Sequence, residues 1–386
     1  MNLYARSEAC GRVPRGHPPI RSYVPDMKRN HVRCAAFVAV LLAASPGAFP
    51  ASATTRTLTV HPGQSIQKAV NAAHAGDTVL VKAGTYHESV TIKTSGVTLR
   101  GVGPRTVIVP PKKKKAVPSP KAAVGCVEGG KGICVIGLRN KPVTNVTVSD
   151  LKLTGFSRVG LWSMATDHLT VQRVKAEKNG QWGISQEHST RGVFRNNVAR
   201  DNGDAGLYLA NTTMSEKGAT DSRGLVVEGN TLEGNRNGLT VLRLRNLRVH
   251  RNYLTGNCTG MIVIGDENKP RAGAFTVTEN IVLRNNKYCA KTARLPFVQG
   301  AGIVLSGAES VSLKHNMVAG NSGRSSLSGG IVLSKSMVGA ANTKNRVDEN
   351  WFSGNAPADL VDQNATKAGN LFRGNFCRVS VPAGLC

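Results

Sequence analysis

The chain has 386 residues and a formal net charge of +27, and 42 of its residues are glycine whereas only 5% are aromatic. This length is enough for a large core. Abundant glycine and few aromatic side chains favour short strands joined by many turns. The positive charge makes cationic ligands unfavourable partners, because it repels cations and attracts polyanions.

The first 53 residues have the features of a targeting segment. Residues 27–33 are basic, residues 34–44 form a short apolar run, and Ala51-Ser52-Ala53 is a small-x-small cleavage site. The apolar run is too short for a stable membrane span. These features predict a secretory signal peptide and not a membrane anchor.

We therefore predict three segments. Residues 1–26 are an upstream extension that precedes the true start at Met27, residues 27–53 are the signal peptide, and residues 54–386 are a single domain. The mature protein is then expected to be secreted and extracellular, to have no membrane span and to be a monomer.

The mature chain stays strongly basic. Residues 1–53 hold seven Lys/Arg and two Asp/Glu, so their removal lowers the formal charge by five, from +27 to +22. Outside the cell, such a charge favours acidic polysaccharides, acidic wall polymers or shed nucleic acid, without specific nucleic-acid recognition. The alternative is a soluble basic surface that has no dedicated partner.

The mature chain begins with a strand at residues 57–60 and a short helix at residues 65–73. Ser65 is placed to cap the helix, and one face carries Ile66, Ala69, Val70 and Ala73. Short strands follow between residues 77 and 101. A short amphipathic helix at this point is expected to cover the open end of a stack of strands.

These first segments resemble the start of secreted pectin-lyase-like parallel β-helix proteins. The resemblance rests on residues 62–70, 76–79, 84–88 and 97–101. The end of the chain, Gly369-Asn370-Leu371-Phe372-Arg373-Gly374-Asn375-Phe376-Cys377 with Cys386, resembles exported actinobacterial members of that group. The resemblance implies the fold more than the activity, because the group contains lyases, hydrolases, epimerases and proteins that are not enzymes.

A basic loop interrupts the first coils. Residues 110–120 are rich in proline and contain the run Lys112-Lys113-Lys114-Lys115. This loop could contact a polyanion, or it could be a solvated loop without a partner.

A repeat organises the chain from residue 143 onward. Gly160, Gly183 and Gly206 are spaced by 23 residues, and each follows a β-rich segment: residues 151–153, 171–174 and 193–198. The series continues at Gly238, Gly260, Gly302 and Gly330, beside a column of asparagines: Asn197, Asn230, Asn252, Asn280, Asn316 and Asn350. A fixed period of this length is typical of a solenoid whose coils are three short strands.

The sequence therefore predicts an all-β fold, a right-handed parallel β-helix of about ten coils with an N-terminal capping helix. The handedness comes from the general preference of parallel crossovers and from the resemblance. Glycine is expected to provide a corner with positive φ. The asparagines are expected to share hydrogen bonds along the column.

Six cysteines remain after the predicted cleavage site: Cys126, Cys134, Cys258, Cys289, Cys377 and Cys386. An even number suits disulfides in an exported protein, and pairing between neighbours along the chain is the favoured pattern. The alternative is free buried thiols. A Cys258–Cys289 bridge would join neighbouring coils beside the insertions predicted at residues 211–224, 265–273 and 286–300, which could build a binding wall.

The residue after each glycine should point inward and the next one outward. The outward column then holds Trp162 and Tyr208, roughly 10 Å apart along the axis, and Trp182 lies close to them. Exposed rings at this spacing could stack on sugar faces. Alternatively, the rings cover loops or pack against the insertions.

Charged residues before the glycines suggest chemistry on uronates. Removing a proton beside a carboxylate needs a base, for which Asp204 or His188 is a candidate, and a cation such as Arg158 or Arg236. Glu187 is a further candidate for contacting substrate. A hydrolase would need two carboxylates, and Asp201 with Asp204 is the close pair, although residues 201–204 also have the composition of a turn.

Several hallmarks of enzymes with the resembled fold are absent. The sequence lacks the Asn-Thr-Asp, Gly-His-Gly and Arg-Ile-Lys motifs of polygalacturonases and the Asp-Pro-His-Asp motif of alginate-epimerising proteins. Ca²⁺ is a conceivable cofactor, but no motif supports it. Two hypotheses remain: a secreted lyase-like or epimerase-like protein acting on acidic polysaccharide, or a non-catalytic extracellular or wall-associated protein that binds polyanions.

Overall fold

The structure is a computed structural model that describes residues 55–112, 125–211, 217–293, 295–364 and 368–386. The predicted upstream extension, the predicted signal peptide and residues 113–115 of the lysine run lie outside the described residues. Residues 54–386 form one compact unit.

The described chain is wound into coils that contribute strands to three parallel sheets, named sheets 1, 2 and 3. Sheet 1 has 12 strands: β1 (Thr57–Val60), β2 (Thr78–Val81), β5 (Thr98–Arg100), β9 (Thr147–Ser149), β13 (Thr170–Gln172), β16 (Val193–Arg195), β19 (Thr220–Glu228), β22 (Leu244–His250), β25 (Gly273–Thr278), β28 (Glu309–Lys314), β31 (Arg346–Asp348) and β34 (Leu371–Arg373).

Sheet 2 has 10 strands: β3 (Gly84–His87), β6 (Thr106–Val109), β10 (Lys152–Thr154), β14 (Lys175–Glu177), β17 (Val198–Arg200), β20 (Thr231–Glu233), β23 (Tyr253–Thr255), β26 (Ile281–Leu283), β29 (Met317–Ala319) and β32 (Trp351–Ser353). Sheet 3 has 11 strands: β4 (Val90–Ile92), β7 (Lys131–Ile136), β11 (Val159–Met164), β15 (Trp182–Glu187), β18 (Ala205–Ala210), β21 (Asn237–Leu242), β24 (Thr259–Ile264), β27 (Ala301–Ser306), β30 (Gly329–Ser334), β33 (Leu360–Asp362) and β35 (Ser380–Val381). A further pair joins β8 (Val143–Thr144) to β12 (Thr166–Asp167).

This arrangement confirms the predicted right-handed parallel β-helix. The 10 to 12 strands in each sheet are close to the predicted number of about ten coils. Leu161 pairs with Ile184 and Ile184 with Leu207, so the 23-residue period is one coil. The residues predicted to point inward form the continuous hydrophobic core: Leu161, Ile184, Leu207, Leu239, Met261, Ile303 and Ile331.

The predicted capping helix is also confirmed. Helix α1 (Ile66–Ala72) begins at Ser65, whose side chain accepts a hydrogen bond from the backbone N–H of Lys68. Ile66 and Val70 are buried against the first coils. The helix therefore covers apolar side chains that the first coil would otherwise expose.

Two long asparagine ladders connect the coils in the described part of the chain, and one of them was predicted. In the predicted ladder, Asn197 donates to Asn230 and Asn230 donates to Asn252, each at 2.9 Å between Nδ2 and Oδ1. The second ladder stands five residues further along each coil and contains Asn179, Asn202, Asn235, Asn257, Asn285, Asn321 and Asn355. The constant offset of five residues is a sequence signal that could have found it.

The prediction that the repeated glycines provide positive φ is wrong. Gly183 lies inside strand β15 and is not among the residues with positive φ. A Cβ at this position would lie 2.7 Å from the carbonyl oxygen of Gly206 and 2.8 Å from Nδ2 of Asn202. Glycine is therefore required for space beside the second asparagine ladder. The corners use other residues: Asn196 and Asp201, both with a φ of 54°, and in the next coil the glycines Gly229 and Gly234, with φ of 62° and 67°.

The structure also differs from the prediction in the bounds of one strand and of one insertion. Residues 193–198 are two strands, β16 and β17, because Asn196 turns the chain between sheets 1 and 2. The first insertion is shorter than predicted, since β19 begins at Thr220. Further insertions, not predicted, separate β29 from β30 and β30 from β31.

The predicted disulfide pairs are confirmed. Cys126–Cys134, Cys258–Cys289 and Cys377–Cys386 are bonded, with Cα–Cα distances of 5.8, 5.9 and 5.4 Å. The Cys258–Cys289 bridge fastens the insertion before β27 to the coil that carries β24.

We expect Asn252→Ala to lower the free energy of unfolding by about 3 kcal/mol. The Asn252 side chain accepts from the backbone N–H of Asn230 and donates to Val227 O and Asn280 Oδ1, all in the core of the ladder. Removing it leaves several buried groups without partners. The measurement is guanidinium denaturation followed by circular dichroism.

The matched control for this substitution is Asn71→Ala. Asn71 is exposed on helix α1, where its side chain accepts one hydrogen bond, from Gln67. A change within about 0.5 kcal/mol is expected for this variant. Equal effects of the two substitutions would contradict a structural role for the ladder.

Candidate functional site

The outer face of sheet 3 carries the candidate site, on strands β7, β11, β15 and β18. Parallel pairing places Trp162 beside Ser185 and Ser185 beside Tyr208. Side chains that are one coil apart in sequence are therefore neighbours about 5 Å apart in space. We call the group formed by Lys131, Trp162, Trp182, Glu187, Asp204 and Tyr208 the sheet 3 site.

Two carboxyl groups in this site are each held by an indole. Trp162 Nε1 donates to Glu187 Oε1 at 3.2 Å, and Trp182 Nε1 donates to Asp204 Oδ2 at 3.0 Å. The rings of Trp182 and Tyr208 are stacked, with centroids 4.0 Å apart and planes 5° from parallel. Each carboxyl group is therefore held in place by one indole, and one of these indoles stacks on Tyr208.

Burial raises the pKa of both carboxyl groups. For Glu187, the hydrogen bond from Trp162 and the charges of Lys131 and Arg158 oppose this effect but do not cancel it. For Asp204, the hydrogen bond from Trp182 and the charge of Arg236 oppose burial in the same way. Asp204 Oδ1 is buried and has no hydrogen-bond partner among the described residues. Both groups are therefore suited to proton transfer nearer neutral pH than ordinary carboxyls are.

The other two ionisable groups of the site are also perturbed. Burial, followed by the charge of Arg158, lowers the pKa of the Lys131 ammonium to about 8, although Glu187 acts in the opposite direction. The Lys131 Nζ lies 3.5 Å from the centre of the Trp162 ring. Burial, followed by the charges of Glu187 and Asp204, raises the pKa of Tyr208, which is therefore a neutral phenol at physiological pH.

The prediction of exposed aromatic rings is wrong for two of the three residues. Trp162 is 7% exposed and Tyr208 is 6% exposed, whereas Trp182 is half-buried. Trp162 packs in a cluster with the Cys126–Cys134 disulfide, and Tyr208 packs under Trp182. Both rings therefore pack against other parts of the chain, and they are not free to stack on sugar faces.

The two other predicted acid–base residues, Asp201 and His188, lie at turns beside strands of the site. Asp201 is exposed in the turn before β18, so it does not form a carboxylate pair with Asp204. His188 directly follows Glu187 at the end of β15, where its Nε2 is 2.8 Å from Arg139. Burial and the charge of Arg139 lower the pKa of His188, so this imidazole is neutral near pH 7.

The two predicted cations have different surroundings. Arg158 is exposed at the edge of the site, and its Nε donates to Gln181 at 3.2 Å. Arg236 is buried and donates to the carbonyl oxygens of Ala290 and Pro296, at 3.0 and 2.6 Å. Arg158 can therefore meet a solvent-borne anion, whereas Arg236 also supports the insertion before β27.

Sequence reasoning missed Lys131, a member of the site, and did not single out the neighbouring Ser185. Lys131-Gly132-Ile133 repeats the pattern of the later glycines one coil earlier, and this signal could have identified Lys131. Ser185 lies between Trp162 and Tyr208, and its buried Oγ has no hydrogen-bond partner among the described residues.

The described parts of the chain hold neither a metal cluster nor a membrane-spanning helix. Within them, no group of three or more His, Cys, Asp or Glu side chains is placed to hold a metal ion. No helix of those parts is long and apolar enough to cross a membrane.

The fold and the site define a right-handed parallel β-helix with a cluster of ionisable side chains on the outer face of one sheet. Residues 125–271 match the family model described as "Right handed beta helix region". Among curated proteins, none matches the chain.

Solved structures with a similar fold include an epimerase and a lyase. The A-module of mannuronan C-5 epimerase AlgE4 from Azotobacter vinelandii has 18% identity and a TM-score of 0.55, covering 81% of this chain and 90% of that one. The alginate lyase from Paenibacillus sp. str. FPU-7 has 15% identity and a TM-score of 0.52, covering 83% and 99%. DFA-IIIase from Arthrobacter chlorophenolicus A6 has 12% identity and a TM-score of 0.53, covering 84% and 86%. At these identities the likeness shows the fold alone.

Glu187→Gln is expected to raise the denaturation midpoint at pH 7 and to leave it nearly unchanged at pH 4. Burial raises the pKa of Glu187 above 4.5, the ordinary value of a glutamate, so the folded state favours the protonated carboxyl. As pH rises through the raised pKa, the carboxyl becomes charged and the folded state loses stability. Below 4.5 the group is protonated in both states, so this difference disappears. The measurement is guanidinium denaturation at both pH values.

Asp167→Asn is a control for which the opposite change in stability is expected at pH 7. A hydrogen bond from Arg191 lowers the pKa of Asp167 to about 2, so this carboxylate stabilises the fold above pH 3.8 and loses its effect as pH falls toward 2. This variant should be less stable than the parent protein at pH 7. A Glu187→Gln variant that is less stable at pH 7 would contradict the assigned burial effect.

Proposed function

We propose that this protein is secreted, binds an acidic polysaccharide along the outer face of sheet 3 and acts on it as a lyase or epimerase. The observation that carries the proposal is that Glu187 and Asp204, both with raised pKa, lie close enough to Tyr208 for their charges to act on its pKa. A protein that only adheres to polyanions needs no such group, because dispersed surface cations are sufficient. The net charge of +22 that remains after the predicted cleavage favours an acidic substrate.

The geometry supports removal of the proton on the carbon beside a uronate carboxylate. Arg158 and Lys131 would pair with that carboxylate and stabilise the negative charge that develops on it. The charges of both cations act on the pKa of Glu187, so Glu187 lies close to them. A uronate whose carboxylate pairs with these cations would therefore have its neighbouring carbon near Glu187, and the Glu187 carboxylate would accept the proton from that carbon. Its raised pKa makes it a stronger base than an ordinary glutamate.

A lyase and an epimerase differ in the step after the loss of this proton. In a lyase, the electron pair left on carbon forms a double bond to the neighbouring carbon, the bond to the glycosidic oxygen breaks, and that oxygen takes a proton from the neutral Tyr208 phenol. In an epimerase, the carbon instead receives a proton on its other face, for which the Asp204 carboxyl, whose pKa burial raises, is the candidate donor. Both reactions balance without an oxidant or reductant.

The second candidate is a non-catalytic extracellular protein that binds polyanions. The specific observation in its favour is the low exposure of Lys131 and Tyr208. A substrate could then reach Arg158, Glu187, Asp204 and the edge of Trp182 without reaching the phenol.

We expect Glu187→Gln and Asp204→Asn to abolish turnover of the substrate while leaving binding in place. The full secreted protein is incubated in D₂O with a panel of acidic polysaccharides, including polymannuronate and polygalacturonate. A lyase produces the ultraviolet absorbance of an unsaturated uronate. An epimerase incorporates deuterium at carbon without that absorbance, because the proton that returns comes from solvent.

The matched control is Glu233→Gln, on sheet 2, which should keep the activity of the parent protein. Salt-sensitive binding with neither absorbance nor deuterium incorporation would select the non-catalytic protein. Turnover that survives both Glu187→Gln and Asp204→Asn would show that the chemistry lies elsewhere on the molecule.

A further inference from the structure

A second site lies further along the outer face of sheet 3, over strands β21, β24, β27 and β30. It is a cavity of about 380 Å³, a size within the range of small-molecule sites. Arg236 lines this cavity, and its charge also acts on Asp204. The lining contains none of Lys131, Glu187, Asp204 and Tyr208.

The walls of the cavity are apolar and come from insertions. Ile262 and Leu242 project from the sheet, and Leu295, Leu327 and Met337 face them from the segments that follow β26, β29 and β30. Met337 is 83% exposed, which is unusual for a large apolar side chain. Its thioether is flexible and contacts aromatic rings favourably, so it suits the rim of a site for a ring.

The wall formed by the insertion before β27 is held in place from two sides. The Cys258–Cys289 disulfide ties this segment to the start of β24. Arg236 binds the same segment through the carbonyl oxygens of Ala290 and Pro296. The cavity is therefore preorganised, which lowers the cost of binding a ligand.

One end of the cavity is polar and has an unused hydrogen-bonding group. Asn237 and Thr259 are paired neighbours on β21 and β24, and Arg236 directly precedes Asn237. Thr259 is 1% exposed, and its Oγ1 has no hydrogen-bond partner among the described residues. A buried hydroxyl in this state costs free energy unless a ligand completes its hydrogen bond.

The charges along the walls favour an anion. Arg236, Arg243 and Lys335 line the cavity together with one acidic residue, Asp266, which pairs with Arg243. The net charge of these lining groups is positive. The polar end beside Arg236 and Thr259 can therefore receive an acidic group, while the apolar walls take the rest of the ligand.

We propose that this cavity binds a small aromatic carboxylate. Its ring lies between Ile262 and Met337, and its carboxylate accepts a hydrogen bond from Thr259 Oγ1 beside the charge of Arg236. The ligand is either free in solution or attached through another group to a larger molecule. This function does not depend on the chemistry proposed for the sheet 3 site.

The test is isothermal titration of the full protein with 4-hydroxycinnamate and, separately, with the uncharged 4-hydroxycinnamyl alcohol. We expect the acid to bind at least tenfold more tightly than the alcohol. Leu327→Trp should abolish binding by filling the cavity. Thr259→Val should weaken binding by about tenfold without lowering the denaturation midpoint, because the hydroxyl that it removes has no partner in the fold.

Thr240→Val is the matched control, since Thr240 is also buried with an unpartnered hydroxyl but does not line the cavity. This variant should bind the acid as the parent protein does. The proposal is overturned if neither probe binds at millimolar concentration, if the alcohol binds as tightly as the acid, or if Leu327→Trp and Thr259→Val leave binding unchanged. The titration is independent of polysaccharide turnover, so either function can fail without the other.

Discussion

The parallel pairing of each coil with the next is the constraint on which the rest of this structure depends. Every strand must meet its neighbour in register, so the corners of successive coils stack and their buried polar groups need partners along the axis. The two asparagine ladders provide those partners, as in the bonds from Asn197 to Asn230 and from Asn202 to Asn235. Glycines such as Gly183 leave the space that the second ladder occupies.

The same stacking creates the sheet 3 site. Outward side chains that are one coil apart in sequence become neighbours, which is how Trp162, Ser185 and Tyr208 form a row. Packing against this row buries two carboxyls and an ammonium, and burial is the main cause of their shifted pKa values. The rigid coil thus positions ionisable groups that no single turn of the chain could hold together.

Prediction from the sequence succeeded where a property repeats and failed where it depends on neighbours. The repeat located the inward residues and the first asparagine ladder. It could not show that Gly183 is needed for space, because that requirement comes from Asn202 in the next coil. Similarly, Trp162 and Tyr208 were placed on the correct face, but their burial depends on contacts with other segments, including Cys134 and Trp182.

The sequence by itself determined the β-helix and its capping helix, because periodicity and capping are local properties. It favoured pairing of cysteines that are neighbours along the chain, and the structure decided this pairing. Only the tertiary structure decided which charged residues meet. It joined Glu187 and Asp204 to Tyr208, left Asp201 in an exposed turn, and placed Arg236 against an inserted segment. The physical reason is that charge interactions and desolvation depend on distance and burial in space, and insertions of irregular length set both.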